Sequence, residues 1–195
     1  MRRSDEELML DFINGDEAAF ESLYYKYEKP ILNFINRMVM NSTEAETLCQ
    51  ETFFRVVRAK KSYEPTAPFK TWLYQIALNL CRDRMRRMKH RSHLSLDGQA
   101  SLHTDENVSL GDTVSDPSTS IEKQMEKQQM LGFIKKAITS LSQDEHFVVT
   151  MKEYQGLILS EIAGIMDCPL GTVKSHCHRA HKKLAKMLAK YLVEQ

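Results

Sequence analysis

The chain has 195 residues, 27 Lys and Arg against 26 Asp and Glu for a net charge of +1, and 42% hydrophobic residues, which is ordinary for a folded protein and enough for one large domain or two small ones. It holds no run of about 18 apolar residues, and its start, MRRSDEELML, turns acidic at once, so neither a membrane span nor a signal peptide is expected. Four scattered cysteines (Cys49, Cys81, Cys168, Cys177), none in a CxxC pair, suit free thiols in a reducing cytoplasm.

In chain order, Gly15-Asp16 ends one short helix, and Asp16 can cap the next. Phe20, Leu23, Tyr24 and Tyr27 then recur at helical spacing, and Ile31, Phe34, Ile35, Met38 and Val39 continue the pattern after Pro30. Asn41-Ser42-Thr43 breaks and caps. Ala45, Leu48, Cys49, Thr52, Phe53 and Val56 make the next apolar stripe, with Phe53, Phe54 and Val56 read as core. Two prolines make KKSYEPTAPF, residues 60–69, a loop. A helix resumes with Trp72, Leu73, Ile76, Ala77 and Leu80 on one face, and Trp72 reads first as core. That helix ends in a basic run, where Arg82, Arg84, Arg86, Arg87, Lys89 and Arg91 face one acid, Asp83.

Residues 92–120 are rich in Ser, Thr, Asp and Gly, show no periodicity, and carry Asp97, Asp105, Glu106, Asp112 and Asp116 with no Lys or Arg. They read as a flexible acidic linker between parts spanning 1–91 and 121–195. The second part opens near Ile121 with a polar amphipathic helix whose apolar face is Ile134, Ile138 and Leu141. Ser142-Gln143-Asp144-Glu145 restarts a helix through Phe147, Val148, Met151 and Tyr154, which Gly156 ends. Two helices follow, Leu159–Met166 and about Leu170–Tyr191, joined by Asp167-Cys168-Pro169. Two helices on a tight turn, the second basic (Lys174, Arg179, Lys182, Lys183, Lys186, Lys190, no acid), describe a helix-turn-helix. The fold class is all-α, two small helical domains on a flexible linker. Two basic runs, each ending an apolar-periodic segment, point to two contacts with a polyanion.

The last helix contains His176, Cys177, His178 and His181, which raises the question of a metal. Val173, Cys177, Ala180, Leu184 and Leu188 form one apolar stripe, so Cys177 packs inward as a small hydrophobe. His176 and His178 project about 100° to either side of it. Only Cys177 and His181, at i and i+4, can chelate together, and a structural zinc wants four ligands. No metal and no cofactor are therefore expected. Lys174, Ser175, His178, Arg179 and Lys182 supply donors for phosphates and base edges, which makes this a DNA-reading helix.

Two segments together resemble the extracytoplasmic-function (ECF) group of bacterial RNA polymerase sigma factors. EAETLCQETFFRVVRAKKSYEPTAPFKTWLYQIALNLCRDRMRR is similar to the family's region 2, roughly "DAEDLVQE.F" and then "F.TWL..IA.N...D..RR". LSQDEHFVVTMKEYQGLILSEIAGIMDCPLGTVKSHCHRAHKKL is similar to region 4, with its "EIA...G.P.GTVKSR..RA...L". The resemblance implies a protein without catalytic activity that binds core RNA polymerase, directs it to a class of promoter DNA, and is held by an anti-sigma factor. Residues 1–91 would be region 2, residues 92–120 the linker and residues 121–195 region 4. Gln50, Glu51 and Arg55 would contact core polymerase. Tyr63 and Asn79 would read the −10 element around a flipped base, with Arg82, Arg84, Arg86 and Arg87 on the strand backbone. Lys174, Ser175, His178 and Arg179 would face the −35 element, with Thr172 and Lys182 on phosphates.

The chain departs from the family pattern at several positions. Thr47 stands where an aspartate is usual and Cys49 where an aliphatic residue is usual, which bears on polymerase affinity. Ile158 stands where a serine caps the first helix of the helix-turn-helix, unless Ser160 caps a shortened one. His176 replaces an arginine, which bears on the −35 sequence read. The alternatives are a stand-alone helix-turn-helix regulator with an N-terminal interaction domain, and an adaptor that binds protein only. No nucleophile–base pair or phosphate loop supports an enzyme.

Overall fold

The computed structural model describes residues 3–94, 130, 132–134 and 136–193, and every regular element among them is a helix. The chain divides into two compact units, the first built on the N-terminal helices and the second on the C-terminal ones.

In the N-terminal unit, Ser4 and Glu7 form a reciprocal capping box at the head of α1 (Asp5–Ile13). The chain turns at Gly15, whose φ of 106° favours glycine, and the Asp16 carboxylate accepts from the N–H groups of Ala18 and Ala19 to start α2 (Glu17–Val39). Helix α2 passes through Pro30 unbroken and buries Leu23, Tyr27, Ile31, Phe34, Ile35 and Met38. The Asn41 side-chain oxygen accepts from Glu44 N–H at 2.8 Å and opens α3 (Ser42–Ala59). A single 3₁₀ turn, Lys60–Ser62, leads into the proline loop. The N–H of Phe69, at the head of α4 (Phe69–Leu94), donates to the Glu6 carboxylate at 3.0 Å, so α1 caps α4. Helix α2 packs against α1, α3 and α4.

The buried face of α4 differs from the expected stripe. Tyr74, Leu78 and Cys81 are enclosed along with Leu73, Ala77 and Leu80, whereas Trp72 and Ile76 are half-buried. Tyr74 turns the face, because its ring meets Phe34 of α2 edge-on at 5.4 Å, a contact that a polar–apolar pattern does not register. Phe54 also departs from expectation: it is 54% exposed, while its neighbours Phe53 and Val56 are core. One residue is about 100° of helix, so Phe53 and Phe54 cannot share one face. Helix α4 continues to Leu94, so residues 92–94 of the expected linker are helical; residues 95–120, and the expected helix start near Ile121, lie outside the described residues. The thiols of Cys49 and Cys81 are buried, which pushes their pKa values up to about 11 and about 12.

In the C-terminal unit, helical residues 132–134 and 136–139 (α5) precede Ser142, which forms a capping box with Glu145 at α6 (Gln143–Val149). Helix α6 widens into a π-helical turn over Thr150–Tyr154, closed by Gln155 N–H donating to the Thr150 carbonyl at 3.3 Å, and Gly156 follows at φ 64°. Helix α7 (Leu159–Met166) and α8 (Leu170–Val193) are joined through Asp167 at φ 51° and Pro169, whose carbonyl accepts from Thr172 and Val173. Helix α8 packs against α6 and buries Val173, Cys177 and Ala180. Among the described residues its expected apolar stripe packs as far as Leu184, which lies on Leu141, Val149 and Ala180, and Leu188 is 48% exposed.

The missing serine cap is half replaced. Helix α7 begins at Leu159, so Ile158 holds the capping position and Ser160 lies inside the first turn, where it is no cap. The N–H of Ile158 donates to the Glu161 carboxylate at 2.8 Å, which is the returning half of a capping box whose forward half needs a hydroxyl at 158. The Ile158 side chain is 63% exposed and contributes little packing. Ile158→Ser is expected to complete the box and stabilise the C-terminal unit by about 1 kcal/mol, a rise of ~4–8 °C in its melting temperature by circular dichroism.

Candidate nucleic-acid interface

Helix periodicity sorts the residues of α8 into rows. Val173, Cys177 and Ala180 face the core. Thr172, Ser175, Arg179 and Lys182 fall at i, i+3, i+7 and i+10 on the opposite side, and Lys174 and His178 form an adjoining row; all six are exposed. A helix with hydroxyls, a guanidinium and amines along one exposed side carries the groups that reach phosphates and base edges in a major groove. Ser175 Oγ also donates back to the Gly171 carbonyl at 2.9 Å.

This row is fastened from beneath by Glu145, whose side chain is 3% exposed. The Lys183 ammonium donates to Glu145 Oε2 at 2.6 Å, and the Nε of Arg179 lies 3.4 Å from Oε1. Burial of Glu145 raises its pKa, but the hydrogen bond from Lys183, the backbone N–H of Ser142 and the charge of Lys183 outweigh that and hold it at about 2. Beside it, His146 is buried, and desolvation lowers its pKa to about 4, so the imidazole is neutral in the folded unit.

In the histidine-rich stretch both ring nitrogens of His181 are engaged. His181 contacts the Cys177 carbonyl through Nδ1 at 2.9 Å and Glu153 through Nε2 at 3.1 Å. Cys177 and Glu153 thus meet opposite edges of one imidazole and do not converge on a point. Among the described residues, no group of three or more His, Cys, Asp or Glu converges to hold a metal ion.

In the N-terminal unit, Asn79, Arg82 and Arg86 share one face of α4 at i, i+3 and i+7, with Arg87 flanking. Asn79, Arg86 and Arg87 are exposed and Arg82 is half-buried. Arg84 lies off this face and is bound to Glu44 of α3 through a two-point ion pair, with Nε to Oε2 at 2.8 Å. Tyr63 is 6% exposed, and its ring packs 5.2 Å from Trp72 and 6.1 Å from Phe69. The structure brings Asn79, Arg82 and Arg86 together, and places Arg84 and Tyr63 in packing instead.

The outward side of α3 carries Gln50, Glu51 and Arg55, the last two joined by an exposed i, i+4 ion pair at 2.8 Å. Phe54 and Val57 are exposed on the same side, and the Arg58 guanidinium sits over the Phe54 ring at 5.6 Å. Sequence reasoning missed Phe54 by assigning it to the core, although its 100° offset from the buried row was there to be counted. It also missed Glu145, where the S-x-x-E signal accounts for the cap but not for the reach to α8.

Residues 23–91 match the family described as Sigma-70 region 2, and residues 134–184 match Sigma-70, region 4. The chain is similar to the RNA polymerase sigma-H factor of Pseudomonas aeruginosa, at 31% identity over 99% of this chain and 98% of that one. It is similar to the ECF RNA polymerase sigma-E factor of Salmonella typhimurium, at 30% identity over 93% of this chain and 92% of that one. Its fold is that of the sigma factor RpoE of Bartonella quintana, solved in complex with the anti-sigma factor NepR, with a TM-score of 0.65 and 24% identity over 87% of this chain and 96% of that one.

The buried pair Glu145 and His146 sets an acid limit. His146 has a folded pKa near 4 against an ordinary 6.5, so the unfolded chain binds its proton first and stability falls as pH drops from 6.5 to 4. Glu145, held near 2 against an ordinary 4.5, gives stability that is full above 4.5 and lost as pH drops from there toward 2. Urea midpoints of the C-terminal transition are expected to fall steadily from pH 7 to 3. In His146→Leu the decline should begin only below about pH 4.5; an unchanged decline above that point rules out the buried neutral imidazole as its source.

Proposed function

The chain belongs to the extracytoplasmic-function group of sigma-70 factors, non-enzymatic proteins that bind core RNA polymerase and direct it to promoters, and on that premise we propose how its two units divide the task. Residues 121–195 form region 4, and α8 reads the −35 element with Lys174, Ser175, His178 and Arg179, while Thr172 and Lys182 meet phosphates. The observation that carries this assignment is the exposed polar row of α8 lying opposite its buried row. Residues 1–91 form region 2, in which Asn79 offers an amide donor and acceptor to a −10 base and Arg82, Arg86 and Arg87 hold the strand. Tyr63 and Arg84 support this surface from within: the ring of Tyr63 backs the proline loop, and Arg84 ties α3 to α4. Residues 92–120 are the tether.

Core polymerase docks on the outward side of α3. Gln50, Glu51 and Arg55 form the polar rim, and the exposed Phe54 with Val57 is the apolar centre that a docked partner desolvates. The same apolar patch suits a competing anti-sigma factor, and control by such a partner is the regulation we assign. The work is done in the cytoplasm, where core polymerase and promoter meet; no helix among the described residues is long and apolar enough to cross a membrane.

The test is transcription by sigma-free core polymerase supplemented with the purified chain on fragmented genomic DNA, with RNA 5′ ends mapped. Discrete starts sharing −10 and −35 motifs are expected. Asn79→Ala should relax only the −10 motif and Arg179→Ala only the −35 motif. Phe54→Ala should weaken binding to core polymerase roughly tenfold or more while leaving the melting temperature unchanged, since the ring is exposed. Specific binding of duplex DNA that needs no core polymerase, with no discrete starts when polymerase is added, would instead favour a stand-alone regulator.

A further inference from the structure

Arg179 is the exposed guanidinium best placed to read a guanine, and a long arginine reads a base well only if its fork is held in one orientation. Two side chains hold it. Glu145 Oε1 faces its Nε at 3.4 Å, and the Nδ1 of His176, one turn back on α8, lies 2.9 Å from its Nη2. In the neutral imidazole with Nδ1 unprotonated, that nitrogen accepts one N–H. Both N–H groups on Nη1 and one on Nη2 are then left for a base edge, enough for the paired contact with guanine N7 and O6.

We propose that Glu145 and His176 are positioning residues that aim Arg179, so that the preference for guanine at one −35 position depends on two side chains that never touch the DNA. The inference rests on the reading that Arg179 contacts the −35 element.

Glu145 is built for more than a helix cap. Its Oε2 takes the cap bond, from Ser142 N–H at 2.9 Å, and the Lys183 ammonium, which leaves Oε1 for Arg179. A carboxylate 3% exposed stays charged only where cations face it, and Lys183 and Arg179 both come from α8. The arrangement sets α8 in rotation about its axis as well as the guanidinium in its plane. An arginine already restrained loses less rotamer freedom when it binds, which sharpens discrimination between bases.

The test uses holoenzyme reconstituted from core polymerase and the full chain, transcribing a template library with the mapped −10 motif and a randomised −35 segment. Wild type is expected to show roughly tenfold preference for guanine at the position that Arg179→Ala flattens. Glu145→Gln, which keeps an oxygen for the Ser142 cap, should flatten that one position several-fold and leave the others and the −10 motif intact. His176→Ala should do the same and does not disturb the buried carboxylate, so it carries the test if Glu145→Gln fails to fold. Neither change should add anything in an Arg179→Ala background. A uniform loss over all −35 sequences, or an equal loss without Arg179, overturns the inference. If Arg179→Ala flattens the position and both variants keep it, the inference alone fails. If Arg179→Ala leaves every position unchanged, the reading of α8 fails with it.

Discussion

A carboxylate in the first turn of a helix is favoured there by the unpaired N–H groups and the positive end of the dipole. In this chain such carboxylates also reach a neighbouring helix, and that second contact helps to fix the packing. Asp5, in the first turn of α1, accepts from the Tyr27 hydroxyl at 2.5 Å and from Lys26 of α2, and Glu6 beside it caps α4. Glu44, in the first turn of α3, holds Arg84 of α4. Glu145, in the first turn of α6, holds Lys183 and Arg179 of α8. Each of these ties the start of one helix to a neighbour and sets how that neighbour is rotated, which apolar contact alone leaves loosely specified.

Rotation matters because the helices have work on both sides. Helix α3 buries Ala45, Cys49, Thr52, Phe53 and Val56 and turns Gln50, Glu51, Phe54 and Arg55 outward. A small error in its rotation would drive Phe54 toward the core and draw Phe53 out. The same holds for α8, whose buried and exposed rows are separated by one or two residues in sequence. The residues turned outward are direct sequence neighbours of those that hold the fold.

The helix boundaries were legible in the sequence where a capping side chain or a glycine marks them, as at Asp16, Asn41, Ser142 and Gly156. The helix-turn-helix was legible for the same reason, since α7 and the start of α8 fall where the turn residues put them. What could not be read was contact between distant positions. Tyr74 counts as amphipathic until Phe34 is seen against it, and Arg84 counts as a phosphate donor until Glu44 is seen beneath it. Tyr63 looks like a stacking ring because it sits in a loop, yet Phe69 and Trp72 already enclose it. A basic run reveals charge, while only three dimensions reveal which of its members are already spent.

The buried thiols extend this to time. Cys49 and Cys81 lie in the core of the N-terminal unit and Cys177 in that of the C-terminal unit. A thiol reagent meets none of them until the unit around it opens, and the raised pKa values of the first two keep them protonated and inert until then. Each unit therefore carries its own internal clock, in which the rate of alkylation at its buried cysteines, read apart from the half-buried Cys168, reports the free energy of opening that unit alone. A partner clasping one unit would slow one clock and leave the other running, so the order in which partners engage and release is written in chemistry the chain already contains.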